Sequence, residues 1–257
     1  MSDDPVLAEV DGAVAVARLN RPDARNALSP ELMEQLATLV EGWDADPAVN
    51  CIVIAGSDGF FAAGADIRMM ADRTFQEALA HPSARFWPRM AACRTPLVAA
   101  VSGYALGGGC ELALLCDLVV ASETAEFGQP EILLGIIPGG GATQRIARVV
   151  GRQRAMELIL TGRRIHAEEA LALGLINQMA TKRKWFSQAT DLAQVVARRP
   201  PLAVRLAKQA VLAAEETGLE AGLAHERRLY ELSMATEDRV EGMQAFLEKR
   251  RPDFKGR

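Results

Sequence analysis

Apolar and polar positions alternate near the start of the chain and then change to a helical period. Val6–Val10 and Ala13–Leu19 alternate around Asp11-Gly12, which is the two-residue pattern of a β-hairpin. Ser29-Pro30 then opens a helix, with Ser at the N-cap and Pro at the first helical position. Helical spacing recurs at the apolar residues Leu32, Leu36, Leu39 and Val40. The chain therefore begins with a predicted hairpin followed by a helix.

Three short apolar runs follow along the chain. They are Cys51–Ala55, Leu97–Val101 and Leu118–Ala121, and their length and composition are typical of strands. Gly56–Gly59 ends the first run, and the second leads through a glycine-rich turn into a helix around Glu111–Cys116. Strands that alternate with helices indicate an α/β core with parallel or mixed strands.

The pattern changes after about Gly151, where helical periods dominate and strand signals nearly vanish. The predicted helices are Arg152–Thr161, Ala167–Leu173, Lys182–Arg198, Pro201–Glu216 and Leu219–Glu248. We therefore divide the chain into an α/β core of residues 1–195 and a helical C-terminal region of residues 196–257, although no Gly/Ser linker marks the boundary.

Composition indicates an ordinary globular protein of enzyme size. The 257 residues are 49% hydrophobic and 24% charged, enough for a large core. The net charge of −4 predicts no general attraction to nucleic acid or anionic lipid, so an anionic ligand must be held by local donors. No apolar run approaches the ~20 residues of a membrane-spanning helix. The four cysteines form no CxxC pair and the start resembles no targeting segment, so we expect a cytoplasmic protein with reduced thiols.

A glycine triplet, Gly107–Gly109, lies between a predicted strand and the helix that carries Glu111. Glycine lets the backbone approach a ligand closely, and the first amides of a helix suit an anion or oxyanion. A tight strand-to-helix turn would also explain a bare triplet. Glu111, however, lies in an apolar run, where a carboxyl is costly unless it is hydrogen-bonded, paired or facing a cavity. The alternative is an exposed acid that complements the helix dipole.

A second isolated acid, Glu131, follows Phe127–Pro130 and precedes another apolar run. Such surroundings raise the pKa of a carboxyl, although an acid at a helix start would also explain the residue. Pro138–Gly141 is a further glycine-rich entry to a helix, and Phe60–Ile67 contains small residues with Asp66 as a predicted helix cap. Two acids beside glycine turns favour acid/base chemistry on a substrate held by backbone donors.

Five segments of the chain together resemble the crotonase (enoyl-CoA hydratase/isomerase) family. They are LNRPDARNAL, FFAAGADI, AAVSGYALGGGCELALLCDL, FGQPEILLGIIPGGGATQR and ATEDRVEGMQAFLEKR. The resemblance implies a spiral of β-β-α units with a C-terminal helical trimerisation region, assembled as a homotrimer or a dimer of trimers. It also implies an enoyl-CoA hydratase, which adds water reversibly and syn to a 2-trans-enoyl-CoA, giving a 3-hydroxyacyl-CoA as in fatty-acid β-oxidation.

The resemblance also implies the residues of the site. The backbone amides of Ala65 and Gly108 match the family's oxyanion hole, which holds the thioester oxygen as an enolate forms. Glu111 and Glu131 match its two catalytic acids; we expect Glu111 mainly to orient and activate water, and Glu131 mainly to transfer the α-proton. Further substrate or CoA contacts are implied at Ala24, Ala63, Asp66, Ile67, Arg68, Gly139, Phe246 and Lys249.

The same resemblance implies an acyl-CoA substrate and no metal or redox cofactor. The acidic net charge and the lack of a long apolar run predict no nucleic-acid or membrane partner. Arg68 stands where many relatives have Lys, and Asp23 where a Lys is common, which leaves the nucleotide contacts open. Met69–Met90 would line the acyl end, although a stripe of Met and aromatic residues is also typical of a core. Three histidines lie outside the motifs and are interpreted as surface or helix-end residues, namely His81, His166 and His225.

Two other functions stay open at this point. A different reaction on the same fold, such as enoyl-CoA isomerisation, would use the same oxyanion hole, but the presence of both Glu111 and Glu131 favours hydration. A non-catalytic acyl-CoA-binding protein would need the oxyanion donors and no paired acids. The sequence leaves the acyl chain length and the choice between trimer and hexamer undetermined.

Overall fold

The computed structural model describes residues 4–57, 59–81 and 83–257. The strands in these ranges are β1 (Val6–Asp11), β2 (Val14–Leu19), β3 (Cys51–Ala55), β4 (Phe60–Ala62), β5 (Leu97–Val101), β6 (Tyr104–Leu106), β7 (Leu118–Ser122), β8 (Glu126–Gly128), β9 (Arg164–His166) and β10 (Gln178–Ala180). The α-helices are α1 (Pro30–Ala45), α2 (Ile67–Met70), α3 (Phe75–Leu79), α4 (Ser83–Ala91), α5 (Gly108–Leu115), α6 (Ala142–Val150), α7 (Arg152–Thr161), α8 (Ala167–Ala172), α9 (Trp185–Ala197), α10 (Pro201–Ala213), α11 (Leu219–Ser233) and α12 (Glu237–Leu247). Two short 3-10 turns span Pro22–Ala24 and Pro130–Leu134. None of the helices in the described ranges has the length and apolarity to cross a membrane.

Two sheets organise the fold. The larger has the order β1-β2-β3-β5-β7-β10, and its neighbours are parallel except for the β1–β2 hairpin. The smaller has the order β4-β6-β8-β9, with only β8 and β9 antiparallel. Three times the chain passes from a strand of the larger sheet to the next strand of the smaller one, from β3 to β4, β5 to β6 and β7 to β8. The predicted α/β spiral is therefore confirmed.

Both faces of the larger sheet are covered, which explains why its strands are continuously apolar. Successive side chains of a strand point to opposite faces. Val53 and Val98 pack in one cluster with Trp185 of α9, whereas Ile52 belongs to a second cluster that contains Leu36 of α1. A strand enclosed in this way needs apolar residues at every position.

The predicted helix of residues 219–248 is wrong in one respect, because the structure divides it into α11 and α12. The hydroxyl oxygen of Thr236 accepts a hydrogen bond from the Arg239 backbone N–H at 3.2 Å and caps α12. The sequence carries this cap signal, but the continuous apolar stripe obscures it. The expectation of almost no strands after Gly151 is also incomplete, since β9 and β10, of three residues each, extend the two sheets.

An ion pair fastens α10 to the core. Lys208 Nζ lies 2.7 Å from an Asp117 carboxylate oxygen, and the two side chains are only 10% and 20% exposed. The same carboxylate accepts the Leu97 backbone N–H at the start of β5, and Arg205 donates to the Thr95 hydroxyl at 3.0 Å. The C-terminal helices thus join the core through specific polar contacts, and the division at residues 195 and 196 stays a prediction.

Candidate active site

A cavity of about 220 Å³ brings seven of the twelve predicted site residues together. They are Glu111, Glu131, Ala65, Gly108, Ala63, Ile67 and Gly139. Much of the remaining wall is apolar and includes Leu28, Met33, Met70, Trp87, Leu134, Ile136 and Ile137. The cavity therefore combines two acids and two glycine-rich turns with an apolar lining. This combination is expected for a substrate that has an apolar chain and a polar reacting group.

Glu111 lies in the first turn of α5 and is only 3% exposed. Its Oε1 accepts hydrogen bonds from the backbone N–H groups of Gly140 at 2.6 Å and Ala142 at 3.0 Å, where the chain enters α6. Burial raises the pKa of Glu111, and these hydrogen bonds and the Arg145 charge oppose that rise. The carboxyl is consequently held in one orientation by backbone groups that cannot rotate away.

Glu131 lies in the 3-10 turn Pro130–Leu134, and its surroundings differ from those of Glu111. Burial raises the pKa of Glu131 to about 7, and the charge of Glu111 adds to the rise. The Gln129 side-chain amide is assigned with its nitrogen toward Glu131, because the opposite orientation would set oxygen against oxygen. In this orientation the amide donates to both carboxyl oxygens, at 3.1 and 3.2 Å. A carboxyl with a pKa near 7 can both give and take a proton at neutral pH.

Two backbone N–H groups at the cavity wall have no acceptor in the described part of the chain. They belong to Ala65, which follows Gly64 (φ 104°), and to Gly108, the first residue of α5. A Cβ built on Gly108 would lie 3.9 Å from the Ala65 nitrogen, so the two amides are neighbours. Adjacent free donors, one of them at a helix N-terminus, suit an oxygen that gains negative charge.

The glycines around these donors are required by close contacts. A Cβ on Gly109 would lie 2.1 Å from the backbone oxygen of Ala62 in β4. Gly107 has φ 51°, and a Cβ there would lie 2.9 Å from Glu131 Oε1. A Cβ on Gly140 would lie 2.4 Å from the Trp87 ring. Any side chain at these positions would displace α5, Glu131 or the turn that holds Glu111.

The other five predicted contact residues do not line the cavity. Asp66 pairs with Arg21 at 3.5 Å, and its side chain makes no capping hydrogen bond to α2, so the predicted helix cap is wrong. The remaining four are Ala24, Arg68, Phe246 and Lys249, which lie in the first 3-10 turn, on α2 and at the end of α12. The CoA contacts of all five stay predictions.

Sequence reasoning missed several polar residues of the site. His81, interpreted as a surface or helix-end residue, instead lines the cavity together with Arg73 and Ser83. Gln129 was part of the motif that contains Glu131, but nothing in the sequence indicated which way its amide points. Met69–Met90 carries no motif that identifies single residues, so only the three-dimensional structure shows which of its side chains reach the cavity.

Known proteins resemble this chain along almost its whole length. The sequence model of the family described as enoyl-CoA hydratase/isomerase matches residues 9–257. A probable enoyl-CoA hydratase of Mycobacterium tuberculosis is 46% identical over 99% of each chain, and a 2,3-dehydroadipyl-CoA hydratase of Escherichia coli is 49% identical over 95% of this chain and 96% of its own. The crystal structure of an enoyl-CoA hydratase from Bacillus anthracis superposes with a TM-score of 0.95, at 36% identity, over 98% of this chain and 100% of that one.

Proposed function

Since the chain belongs to the enoyl-CoA hydratase/isomerase family, we propose that it hydrates 2-trans-enoyl-CoA with Glu111 and Glu131 as the acid/base pair. The protein is an enoyl-CoA hydratase, in agreement with the hydratase names of relatives 46–49% identical to it over nearly the full chain. One observation supports the assignment of residues above all. The buried carboxyl of Glu111, the half-buried carboxyl of Glu131, both with raised pKa values, and two free backbone N–H groups line the same cavity.

The first step is polarisation of the thioester. The N–H groups of Ala65 and Gly108 donate to the thioester oxygen, which draws electron density from the conjugated double bond and leaves the β-carbon electrophilic. As negative charge grows on this oxygen, the fixed donors bind it more strongly than they bind the neutral carbonyl. The enolate-like transition state is thereby stabilised more than the substrate.

The second step is addition of water. Glu111, fixed by the Gly140 and Ala142 amides, accepts a proton from water while the water oxygen bonds to the β-carbon. Glu131 gives its proton to the α-carbon, and the enolate electrons form the new C–H bond. The pair therefore holds one proton before and after the reaction, so the two carboxyls titrate as a coupled unit. Both groups line the same cavity, and delivery of the water oxygen and of the proton to one face of the double bond would give syn addition.

Two further expectations belong to this proposal. No metal or redox cofactor takes part, because backbone amides polarise the thioester and carboxyls carry the protons, and CoA is part of the substrate. The enzyme resides in the cytoplasm, where its four buried and unpaired cysteines would stay reduced.

We also propose that the C-terminal helices assemble the enzyme as a trimer or a dimer of trimers. Large apolar side chains are exposed along α10, α11 and α12, namely Val211, Leu212, Leu219, Leu223, Leu232, Val240, Met243, Phe246 and Leu247. Monomers rarely expose an apolar surface of this extent, so another copy of the chain would cover it. Such packing would also allow Phe246 and Lys249 to contact CoA bound to a neighbour.

One assay tests the proposed reaction. Incubation with crotonyl-CoA should deplete the conjugated thioester and yield 3-hydroxybutyryl-CoA. Conversion of a 3-enoyl-CoA to the 2-enoyl-CoA without formation of a hydroxyl product would instead identify an isomerase. Saturable binding of crotonyl-CoA without turnover would identify an acyl-CoA-binding protein, and either outcome would overturn the assignment.

A further inference from the structure

Arg145 is a cation at a place where a helix does not favour one. It is the fourth residue of α6, close to the N-terminus that carries the positive end of the helix dipole. Its side chain is half-buried and forms no ion pair with a carboxylate among the described residues. Helix stability therefore does not explain this charge, and its contacts have to.

The guanidinium of Arg145 is directed back across the start of its own helix. Its Nη1 donates to the Gly140 carbonyl oxygen at 3.0 Å. Gly141 has φ 110°, and a Cβ there would lie 2.1 Å from the same nitrogen. Glycine at position 141 thus leaves the space that the guanidinium occupies, and the hydrogen bond fixes the carbonyl of the glycine before it.

The same residue, Gly140, holds the carboxyl of Glu111. Its backbone N–H donates to Glu111 Oε1 at 2.6 Å, and the N–H of Ala142, the first residue of α6, donates to the same oxygen at 3.0 Å. Arg145 therefore binds Gly140 through its carbonyl, and Glu111 binds it through its N–H. Glycine has the freest backbone of all residues, so a contact that restrains it also restrains the donor on which the orientation of Glu111 depends.

The charge of Arg145 also acts on Glu111. Burial raises the pKa of this carboxyl, whereas its backbone hydrogen bonds and the positive charge of Arg145 lower it. Hydration needs Glu111 ionised, since the carboxylate takes the proton from water. The guanidinium thus favours the reactive state of the carboxyl whose donor it also restrains.

The other titratable groups around the Glu111 carboxyl do not replace this cation. Glu131, across the cavity, is itself an acid. Burial raises the pKa of the adjoining Cys110 thiol to about 12, so the thiol is neutral. Arg73 and His81 line the cavity from the segment between α2 and α4, and burial and the Arg73 charge lower the pKa of His81, which leaves that ring neutral at pH 7.

We propose that Arg145 is a positioning residue of the hydration reaction, which fixes the turn where Gly140 holds Glu111 and places a positive charge near that carboxylate. The inference rests on the proposed function, since it concerns the group assigned to activate water. Arg145 does not line the cavity of the two acids; it lines a neighbouring cavity of about 310 Å³ that shares Trp87 and Gly140 with it. Its loss should therefore act through Glu111 and leave binding of the thioester intact.

The experiment measures the pH profile of crotonyl-CoA hydration after Arg145 is replaced by Met or by Lys. Arg145→Met removes the hydrogen bond and the charge, so kcat should fall by about tenfold or more, on the scale of a misplaced catalytic group, while KM changes little. The acidic limb should move to higher pH, because the pKa of Glu111 rises once the cation is gone. Arg145→Lys keeps the charge and should return the limb toward its wild-type position.

Arg148→Met is the matched control. Arg148 lies one turn further along α6 and lines the same neighbouring cavity, but it donates to the carbonyl oxygens of Gln144 at 3.2 Å and Glu215 at 3.3 Å. This variant should keep the wild-type kcat and pH profile. Circular dichroism of each variant checks that the fold is retained.

A second measurement separates positioning from general damage. In a Glu111→Gln background, adding Arg145→Met should lower kcat by much less than it does alone, because the residue acts through that carboxyl. An acidic limb that does not move in Arg145→Met, or equal losses in both backgrounds, would overturn the inference. Failure of wild type to hydrate crotonyl-CoA would refute the proposed function itself, whereas hydration that depends on Glu111 with an unmoved limb refutes only the role of Arg145.

Discussion

Glu111 and Glu131 are the same residue type in two different surroundings. Two backbone amides hold the Glu111 carboxyl near the start of α6, so its orientation is fixed by the main chain. Glu131 is bonded instead by the side-chain amide of Gln129, and its pKa is raised to about 7. Rigid placement suits the group that orients water, and a pKa near neutrality suits the group that carries the proton.

Replacing either acid by its amide tests whether the two carboxyls act together in one addition. We expect Glu111→Gln and Glu131→Gln each to lower kcat by at least ~10²-fold, the usual scale for a positioned acid or base. The double variant should lose much less than the product of the single losses, because the pair acts as a unit. Steady-state kinetics with crotonyl-CoA measures this, with circular dichroism as the control for folding. Near wild-type hydration by either variant would contradict the mechanism.

The pH dependence of kcat/KM should be bell-shaped. Hydration needs a proton on Glu131 and none on Glu111, and Glu131 loses its proton as the pH rises through about 7. Activity should therefore fall on the alkaline side of that value. The acidic limb should lie above the usual range of a glutamate, because burial raises the pKa of Glu111. Hydration and dehydration should share one profile, since the pair holds a single proton in both directions. A flat profile across neutral and alkaline pH would exclude Glu131 as the proton donor.

At the scale of elements, α5 connects the fold to the chemistry. Its first residue, Gly108, supplies an oxyanion donor and its first turn carries Glu111. Gly109 lets the helix lie directly against β4, because a Cβ there would meet the Ala62 carbonyl at 2.1 Å. The position of both functional groups thus depends on one contact between a helix and a strand.

Gly109→Ala should therefore impair stability and activity together. The added methyl cannot be accommodated without moving backbone, and overpacking of this kind costs typically ~1–3 kcal/mol. Gly42→Ala is the matched control, because a Cβ at Gly42 in α1 meets nothing within 4 Å and the change should stabilise the helix by about 0.5–1 kcal/mol. Thermal denaturation and kcat of both variants measure the effects. A Gly109→Ala variant as stable and active as wild type would show that α5 can shift freely.

Elements whose capping residue or apolar run lies within their own stretch of sequence could be predicted. The Ser29 side chain caps α1 as expected, accepting the Leu32 N–H at 3.2 Å, and the buried strands follow from their apolar runs. Strands β9 and β10 have three residues each, too few for a period to be recognised. Both acids stood out because a charge within an apolar run is unusual. His81 carried no such signal, since only tertiary contacts show that its ring is partly buried.

At the scale of the whole molecule, the C-terminal helices are held on the core and yet incompletely covered. The Lys208–Asp117 ion pair fixes α10, whereas Phe246 and Leu247 at the end of α12 are 82% and 80% exposed. A polar attachment on one side and an apolar surface on the other are what an assembly domain requires. The assembly itself is a prediction.

Light scattering should give a mass of about three or six times 27.7 kDa. Deletion of the chain from Ala235 onward should weaken assembly and CoA binding together, although no proposed catalytic group is removed. The double substitution Phe246→Asp/Leu247→Asp should lower the mass without shortening the chain, and Val10→Asp, at an exposed position of β1, serves as the control. A stable, fully active monomer at micromolar concentration would refute the proposal.

The placement of the two acids on separate pieces of chain has a consequence for redesign. Gly108 and Glu111 share α5, so the donor to the thioester oxygen and the group that orients water move together, whereas Glu131 belongs to the turn Pro130–Leu134. Replacing that turn would change how the enolate is quenched and leave its formation intact. Redesign of the protonation step would therefore start from the five residues of that turn, because exchange of α5 would remove both an oxyanion donor and the acid that activates water.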